Sequence, residues 1–311
     1  MNRHHLRWTA AVLGASMLGV LTACASTPDT TPPPVAATAT AAPPPAASDP
    51  AASSSPTLPD PTAPMELSVS HIHAALRDPQ TGALLLATHE GLFRQSGSEL
   101  QQVGPVIDLM GFAVDPAGTL YASGHPSADA GLPEPVGLIT SDDDGSTWQV
   151  LSRGGESDFH ALAVSPQAVV GFDGALRTTK DGRSWTTLAL DRPVISLAAS
   201  PQSGTLLATT QAGLLRSDTD GASWETLTPP EAVILVAWAD DTTAVAATVS
   251  GRLARSDDGG LTWTLGPKSI GPVGTLSAQR AANGMVEIIA ALDSTVIATT
   301  DEGASLQVLV R

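Results

Sequence analysis

Three short runs in this 311-residue chain carry side chains that could bind a metal or move protons: His71-Ile-His73, Asp108-Leu-Met110 and Asp158-Phe-His160. Residues two apart on a β-strand share a face, so each run presents its two reactive side chains together. When the chain is aligned on its Pro-containing turns, His73, Met110 and His160 occupy one repeat position, which Ile195 takes in the next repeat. Two residues earlier stand His71, Asp108 and Asp158. A second alignment agrees: His89 and His125 each lie seven residues after an equivalent glycine, Gly82 and Gly118. Three chemistries fit this set. His73, Met110 and His160 suit a transition metal, since imidazole takes zinc or copper and a thioether favours Cu(I). Asp108 and Asp158 could instead act as acid and base in glycoside cleavage. The third reading is a polar channel lining, or a surface for a protein or small polar ligand, made by His71, His73, His89, Met110, His125 and His160.

The elements that must position these residues are repeats. Ser141-Asp-Asp-Asp-Gly-Ser-Thr-Trp148 is followed by Thr178-Thr-Lys-Asp-Gly-Arg-Ser-Trp185, Ser217-Asp-Thr-Asp-Gly-Ala-Ser-Trp224 and Ser256-Asp-Asp-Gly-Gly-Leu-Thr-Trp263. Thr299-Thr-Asp-Glu-Gly-Ala-Ser-Leu306 is a worn copy, and Gly91-Leu-Phe-Arg94 marks a first repeat whose turn has decayed to Ser96-Gly-Ser-Glu99. Each repeat reads as four short strands separated by turn signals, with no helical period. Six such units of about forty residues predict an all-β fold, a six-bladed β-propeller over 66–311. No blade lacks a strand of its own, so no interlocked closing blade is expected. The start of a first strand and the end of a second open on one face of a propeller. All five histidines are therefore expected on one face over blades one to three. His73, Met110 and His160 should point into the channel, with His89 and His125 near the rim.

The Ser-x-Asp-x-Gly-x-Thr-Trp pattern resembles the Asp-box (BNR) repeat of sialidases and related propellers. In that family the boxes are structural turns on the face away from the site. Sialidase activity is not expected, because the family's arginine triad and Tyr–Glu pair have no counterpart: Tyr121 is the only tyrosine, and Arg94, Arg216 and Arg255 simply recur beside the boxes. The chain is more similar to a group of actinobacterial Asp-box lipoproteins labelled glycosyl hydrolases. The matching stretches are His71-Ile-His73, Ala87-Thr-His-Glu-Gly-Leu-Phe93, Met110-Gly-Phe112, Gly124-His-Pro126 and Asp158-Phe-His-Ala-Leu162. Ala74 stands where that group has glycine. The resemblance implies an extracytoplasmic protein with a shared site over blades one to three.

The amino terminus agrees. Arg3, His4, His5 and Arg7 precede an uncharged run from Trp8 to Ala23, too short to span a bilayer and suited to a signal peptide over 1–23. The run ends in Leu21-Thr22-Ala23-Cys24, which looks like the lipobox of bacterial lipoproteins and makes Cys24, the only cysteine, the expected lipidation site. Residues 24–65 read as a disordered tether: twelve of the forty residues from 25 to 64 are proline and none is aromatic, so little apolar surface offsets the ordering entropy. The expected location is the outer face of the cell membrane. The chain carries 15 Lys plus Arg against 31 Asp plus Glu, a net charge of −16, which excludes nucleic acid as a partner. A monomer holding a glycan, metal or protein ligand is expected.

Overall fold

The structure, a computed structural model, describes residues 63–190 and 192–311. The signal segment, Cys24 and most of the tether lie outside the described residues. From Ile72 the chain forms 24 strands in six antiparallel sheets of four, each sheet made of four consecutive strands. Blade one comprises β1 (Ile72–Arg77), β2 (Leu84–Thr88), β3 (Gly91–Ser96) and β4 (Glu99–Val103). Blade two comprises β5 (Ile107–Val114), β6 (Leu120–Pro126), β7 (Leu138–Ser141) and β8 (Gln149–Ser152). Blade three comprises β9 (Ala161–Val164), β10 (Val169–Phe172), β11 (Leu176–Thr179) and β12 (Thr186–Thr187). The inner strands of neighbouring blades touch around the whole ring, the sixth and first included. The six-bladed propeller expected from the repeats is the observed fold. Among the described residues the only helical turn is Ala128–Ala130, and no helix is long and apolar enough to cross a membrane.

Burial explains the ring. The second strand of a blade is sandwiched between neighbouring blades, and Leu84, Leu85 and Leu86 of β2 are all fully buried. Alternate residues along β2 therefore enter different clusters: Leu84 and Leu86 pack with Ile289 and Val296 of blade six, Leu85 and Ala87 with Leu109 and Ile139 of blade two. Closure follows the expectation, with one addition. Every blade keeps its own four strands, but the segment before blade one adds a parallel bridge, Met65 to Val310, on the outer strand of blade six. Met65 N–H donates to the Leu309 carbonyl at 2.8 Å, and Leu67 N–H to that of Arg311 at 2.9 Å. The outer strand has an unpaired edge, and Met65 is 8 % exposed there, so hydrogen bonds and apolar burial both favour the staple.

The repeated turns join the third and fourth strands. In blade two the Ser141 hydroxyl donates to Asp143 at 2.8 Å and accepts from the Gly145 N–H at 2.9 Å, while Thr147 donates to Asp143 from its N–H at 2.9 Å and its hydroxyl at 2.6 Å. The same bonds recur with Ser256, Asp258, Gly260 and Thr262, and with Thr299, Asp301, Gly303 and Ser305. Donation from the Thr262 hydroxyl and N–H holds Asp258 down at about 2. Trp148 and Trp263 are buried, whereas Trp185 and Trp224 keep part of their surface exposed. These turns open on the face opposite the histidines, where Arg94 joins Asp78, in the turn between β1 and β2, at 2.8 Å to Asp144 of the next blade's turn at 3.2 Å. Arg216 likewise donates to the Gly259 carbonyl at 2.8 Å, and Arg255 pairs with Asp257 and Glu302 at 2.7 and 3.3 Å. The recurring arginines tie blades together and do not converge on a substrate position.

Candidate functional site

Two backbone devices aim the site. The first is a bulge near the start of the inner strand. Pairing shifts register between Ile72 and Ala74, Leu109 and Gly111, Val194 and Ser196, and Val233 and Leu235. The residues at these shifts are His73, Met110, Ile195 and Ile234. A bulge re-aims the extra side chain away from the regular pleat. The position that repeat alignment gives to His73 and Met110 is thus a bulge in blades one and two. In blade three β9 begins at Ala161, paired with Phe172; His160 lies just ahead of it, and its N–H donates to the Phe172 carbonyl at 3.1 Å. The second device is Gly124, at φ 147°, opposite Leu109 in the β5–β6 pair. A Cβ there would lie 1.8 Å from the Asp108 carbonyl oxygen, so only glycine lets β6 approach and set His125 opposite Asp108.

The five histidines gather as expected, but around two carboxylates. In the first centre the rings of His71, His73 and His89 form a triangle, with centroids 4.7 Å apart for His71–His73, 4.7 Å for His73–His89 and 5.4 Å for His71–His89. Asp108 reaches in from blade two: its Oδ1 lies 3.4 Å from His73 Nε2 and 3.9 Å from His89 Nε2. In the second centre Asp158 Oδ2 takes His160 Nε2 at 2.6 Å and His125 Nε2 at 3.0 Å, and His125 Nδ1 meets Glu134 of the β6–β7 insertion at 2.5 Å.

Exposure reverses part of the expected arrangement. The His73 side chain is 12 % exposed, but that of His160 is 60 % exposed, more than the rim residues His89 and His125. His160 lies ahead of its strand, bonded to Asp158, and is far more exposed than His73. Among the described residues the His, Cys, Asp or Glu donors that lie within 4.8 Å of one another are those of His73, His89 and Asp108. His160 stands outside that group, bound to Asp158, and Met110 sits at its own bulge in the neighbouring blade.

The electrostatics favour a neutral His73. Burial, reinforced by neighbouring His71 and opposed by Asp108, lowers its pKa to about 4. Although it lies within ion-pair distance of Asp108, it is an uncharged ring at neutral pH. Its Nε2 and the facing Oδ1 of Asp108 are both buried without a hydrogen-bond partner. Two buried polar atoms 3.4 Å apart that make no hydrogen bond are costly, and a cation between them would satisfy both with His73 in the tautomer that leaves Nε2 unprotonated. His125 behaves oppositely: the hydrogen bond to Glu134 raises its pKa against the pull of burial, with Asp158 adding to the rise. Both of its nitrogens face carboxylate oxygens, which the cationic ring satisfies with two N–H donors. Each candidate catalytic carboxylate, Asp108 and Asp158, thus faces two imidazoles.

Ser70 and Glu90, adjacent to His71 and His89, are site residues that the spacing of histidines alone does not reveal. The Ser70 hydroxyl lies 3.1 Å from His89 Nδ1 and 2.7 Å from Glu90 Oε1.

No protein-family model matches the chain, and no curated protein does. Solved structures similar to it are propellers of diverse description. The extracellular domain of a protein described as a hybrid two-component system from B. thetaiotaomicron matches with a TM-score of 0.55 at 14 % identity, over 80 % of this chain and 34 % of that one. The chain thus spans about a third of the length of that extracellular domain. A nidogen/laminin complex matches with a TM-score of 0.57 at 13 % identity, over 74 % of this chain and 93 % of that one. A protein described as a gluconolactonase matches with a TM-score of 0.54 at 15 % identity, over 78 % and 91 %. At such identities these likenesses establish the fold and nothing finer.

Proposed function

We propose that this chain is an exported, lipid-anchored Asp-box propeller that holds a first-row transition-metal ion on His73, His89 and Asp108. The observation that carries this reading is the pair of buried, unpartnered atoms, His73 Nε2 and Asp108 Oδ1, with His89 Nε2 beside them. Zinc binds His nitrogen and carboxylate oxygen at about 2.0–2.2 Å, so tetrahedral donors stand roughly 3.3–3.5 Å apart. The His73–Asp108 pair already meets that spacing at 3.4 Å, and His89 is 3.9 Å from the same oxygen. Two imidazoles and a carboxylate suit zinc, iron, nickel or copper(II) better than the copper(I) that a thioether would favour. Three protein donors leave a tetrahedral ion one position short, the arrangement that accepts a water or an exogenous ligand. Elemental analysis of the full chain, purified without chelator, should find stoichiometric transition metal. Apoprotein that takes up none on incubation with zinc, iron, nickel or copper salts would refute the reading.

Anchoring through Cys24 rests on the Leu-Thr-Ala-Cys run behind an uncharged segment and on the Pro-rich stretch that follows. The extracellular domain among the similar structures agrees with an extracytoplasmic location. Two or three acyl chains hold a protein stably where one would not, at about 0.8 kcal/mol per buried CH₂. Cys24→Ser should therefore move the protein from the membrane fraction to the medium, or leave it unprocessed. A mutant that is processed and fractionates with membranes as the wild type does would contradict the anchor.

A further inference from the structure

We infer that Ser70 and Glu90 are positioning residues that fix the tautomer of His89, so that its Nε2 carries the lone pair facing Asp108; this rests on the metal reading above. The Ser70 hydroxyl has one proton and two neighbours, Glu90 Oε1 at 2.7 Å and His89 Nδ1 at 3.1 Å. A carboxylate oxygen only accepts, so the hydroxyl proton goes to Glu90. The Ser70 oxygen can then meet Nδ1 only as an acceptor, which places the ring proton on Nδ1. A neutral imidazole has one N–H, so Nε2 is left as the donor of electrons, 3.9 Å from Asp108 Oδ1. An isolated imidazole side chain in water prefers the opposite tautomer, with its proton on Nε2. The protein has something to enforce, and a carboxylate–hydroxyl–imidazole chain behind a ligand is a common means of enforcing it.

The backbone holds this chain in place. Ser70 precedes β1, and its N–H also donates to Glu90 Oε1 at 3.0 Å. His89 and Glu90 form the turn between β2 and β3, where the Glu90 N–H donates to the Thr88 hydroxyl at 3.1 Å and Gln102 donates to the Glu90 carbonyl at 2.6 Å. Blade five supplies an internal comparison. Val233 pairs with Thr248 as Ile72 pairs with Thr88, which puts Glu231 and Ser250 at the positions of Ser70 and Glu90. The Ser250 hydroxyl donates to Glu231 at 2.6 Å, the same Ser–Glu latch with its partners exchanged. There the residue between Thr248 and Ser250 is Val249, 69 % exposed, and Glu231 is answered by Arg252 at 3.1 Å. The latch alone therefore serves the turn. In blade one the hydroxyl stands on the strand side, beside an imidazole, and the same device gains a direction for the ring's lone pair.

The test must read the ring as well as the turn. In long-range ¹H–¹⁵N spectra of the metal-free full chain at neutral pH, His89 should carry its proton on Nδ1, and Ser70→Ala should shift it toward Nε2. Zinc titration should show binding weakened by about 10- to 100-fold in Ser70→Ala, the usual effect of losing such a support, and restored in Ser70→Thr, which keeps the hydroxyl. A wild-type ring protonated on Nε2, or Ser70→Ala binding zinc as tightly as wild type, would overturn the inference while leaving the metal site standing. If the wild type binds no metal, the site reading falls, and the tautomer can still be read in the spectra.

Discussion

Phe159→Ala should lower the stability of the propeller by about 3 to 5 kcal/mol, the usual cost of truncating a buried aromatic side chain. Phe159 is fully buried and stacks on Trp185, with ring centroids 4.8 Å apart. It packs with Leu138 of blade two and Leu162 and Val169 of blade three, so it closes the junction between these blades. Its backbone is gripped as well: its N–H donates to the Ser123 hydroxyl at 2.9 Å, and a Cβ at Gly111 would lie 2.2 Å from its carbonyl oxygen. Phe159 also stands between Asp158 and His160, so the substitution should weaken the contact of Asp158 with His125 as well as the fold. Denaturant unfolding of the two proteins measures this. A loss below about 1 kcal/mol would mean that the junction does not depend on this ring.

The second large effect concerns pH. In the metal-free protein His73 stays neutral down to about 4, whereas an unfolded imidazole is protonated below 6.5. A depressed folded-state pKa in a base means that the unfolded chain binds the extra proton first. The stabilising contribution of the neutral ring is complete above pH 6.5, falls as pH drops toward 4, and levels off below that. At about 1.4 kcal/mol per pH unit, wild type should lose roughly 3 kcal/mol relative to His73→Gln across this window. The raised pKa of His125 acts in the other direction and at higher pH, since its contribution is lost only as pH rises through the folded value. The carboxylates of the repeated turns, Asp258 and Asp301, are held at about 2, and their contribution is lost as pH falls below their ordinary value of 3.8. Subtracting the His73→Gln curve removes both backgrounds. Parallel curves for the two proteins between pH 4 and 6.5 would show that His73 is not kept neutral by its surroundings.

The fold and the gathering of the histidines were legible because a propeller converts repeat position into spatial position. His71, His73 and Asp108 could be placed together from alignment alone, since equivalent points on neighbouring inner strands adjoin around the channel. His89 and His125 followed from their equal distance to a glycine. Alignment could not report that blades one and two carry a bulge at this position while the strand of blade three starts one residue after it, because register leaves no mark in residue type. It therefore grouped His160 with His73, whereas His160 is bonded to Asp158 and is much more exposed. Glu134 was hidden for another reason: it sits in an insertion with no counterpart in other blades. Ser70 and Glu90 did leave a signal, a hydroxyl and a carboxylate each adjacent in sequence to a site histidine. The parallel staple of Met65 on blade six was also out of reach, because a single pairing residue has no periodicity to detect.

The most direct measurement is zinc titration of the full chain beside its His73→Ala, His89→Ala, Asp108→Asn, Met110→Leu and His160→Ala variants, each with a melting curve to show that it is folded. The account predicts that wild type, Met110→Leu and His160→Ala bind stoichiometrically, and that the first three variants lose the site. Binding that survives Asp108→Asn and His89→Ala but vanishes with Met110→Leu or His160→Ala would contradict it and assign the ion to His73, Met110 and His160 instead.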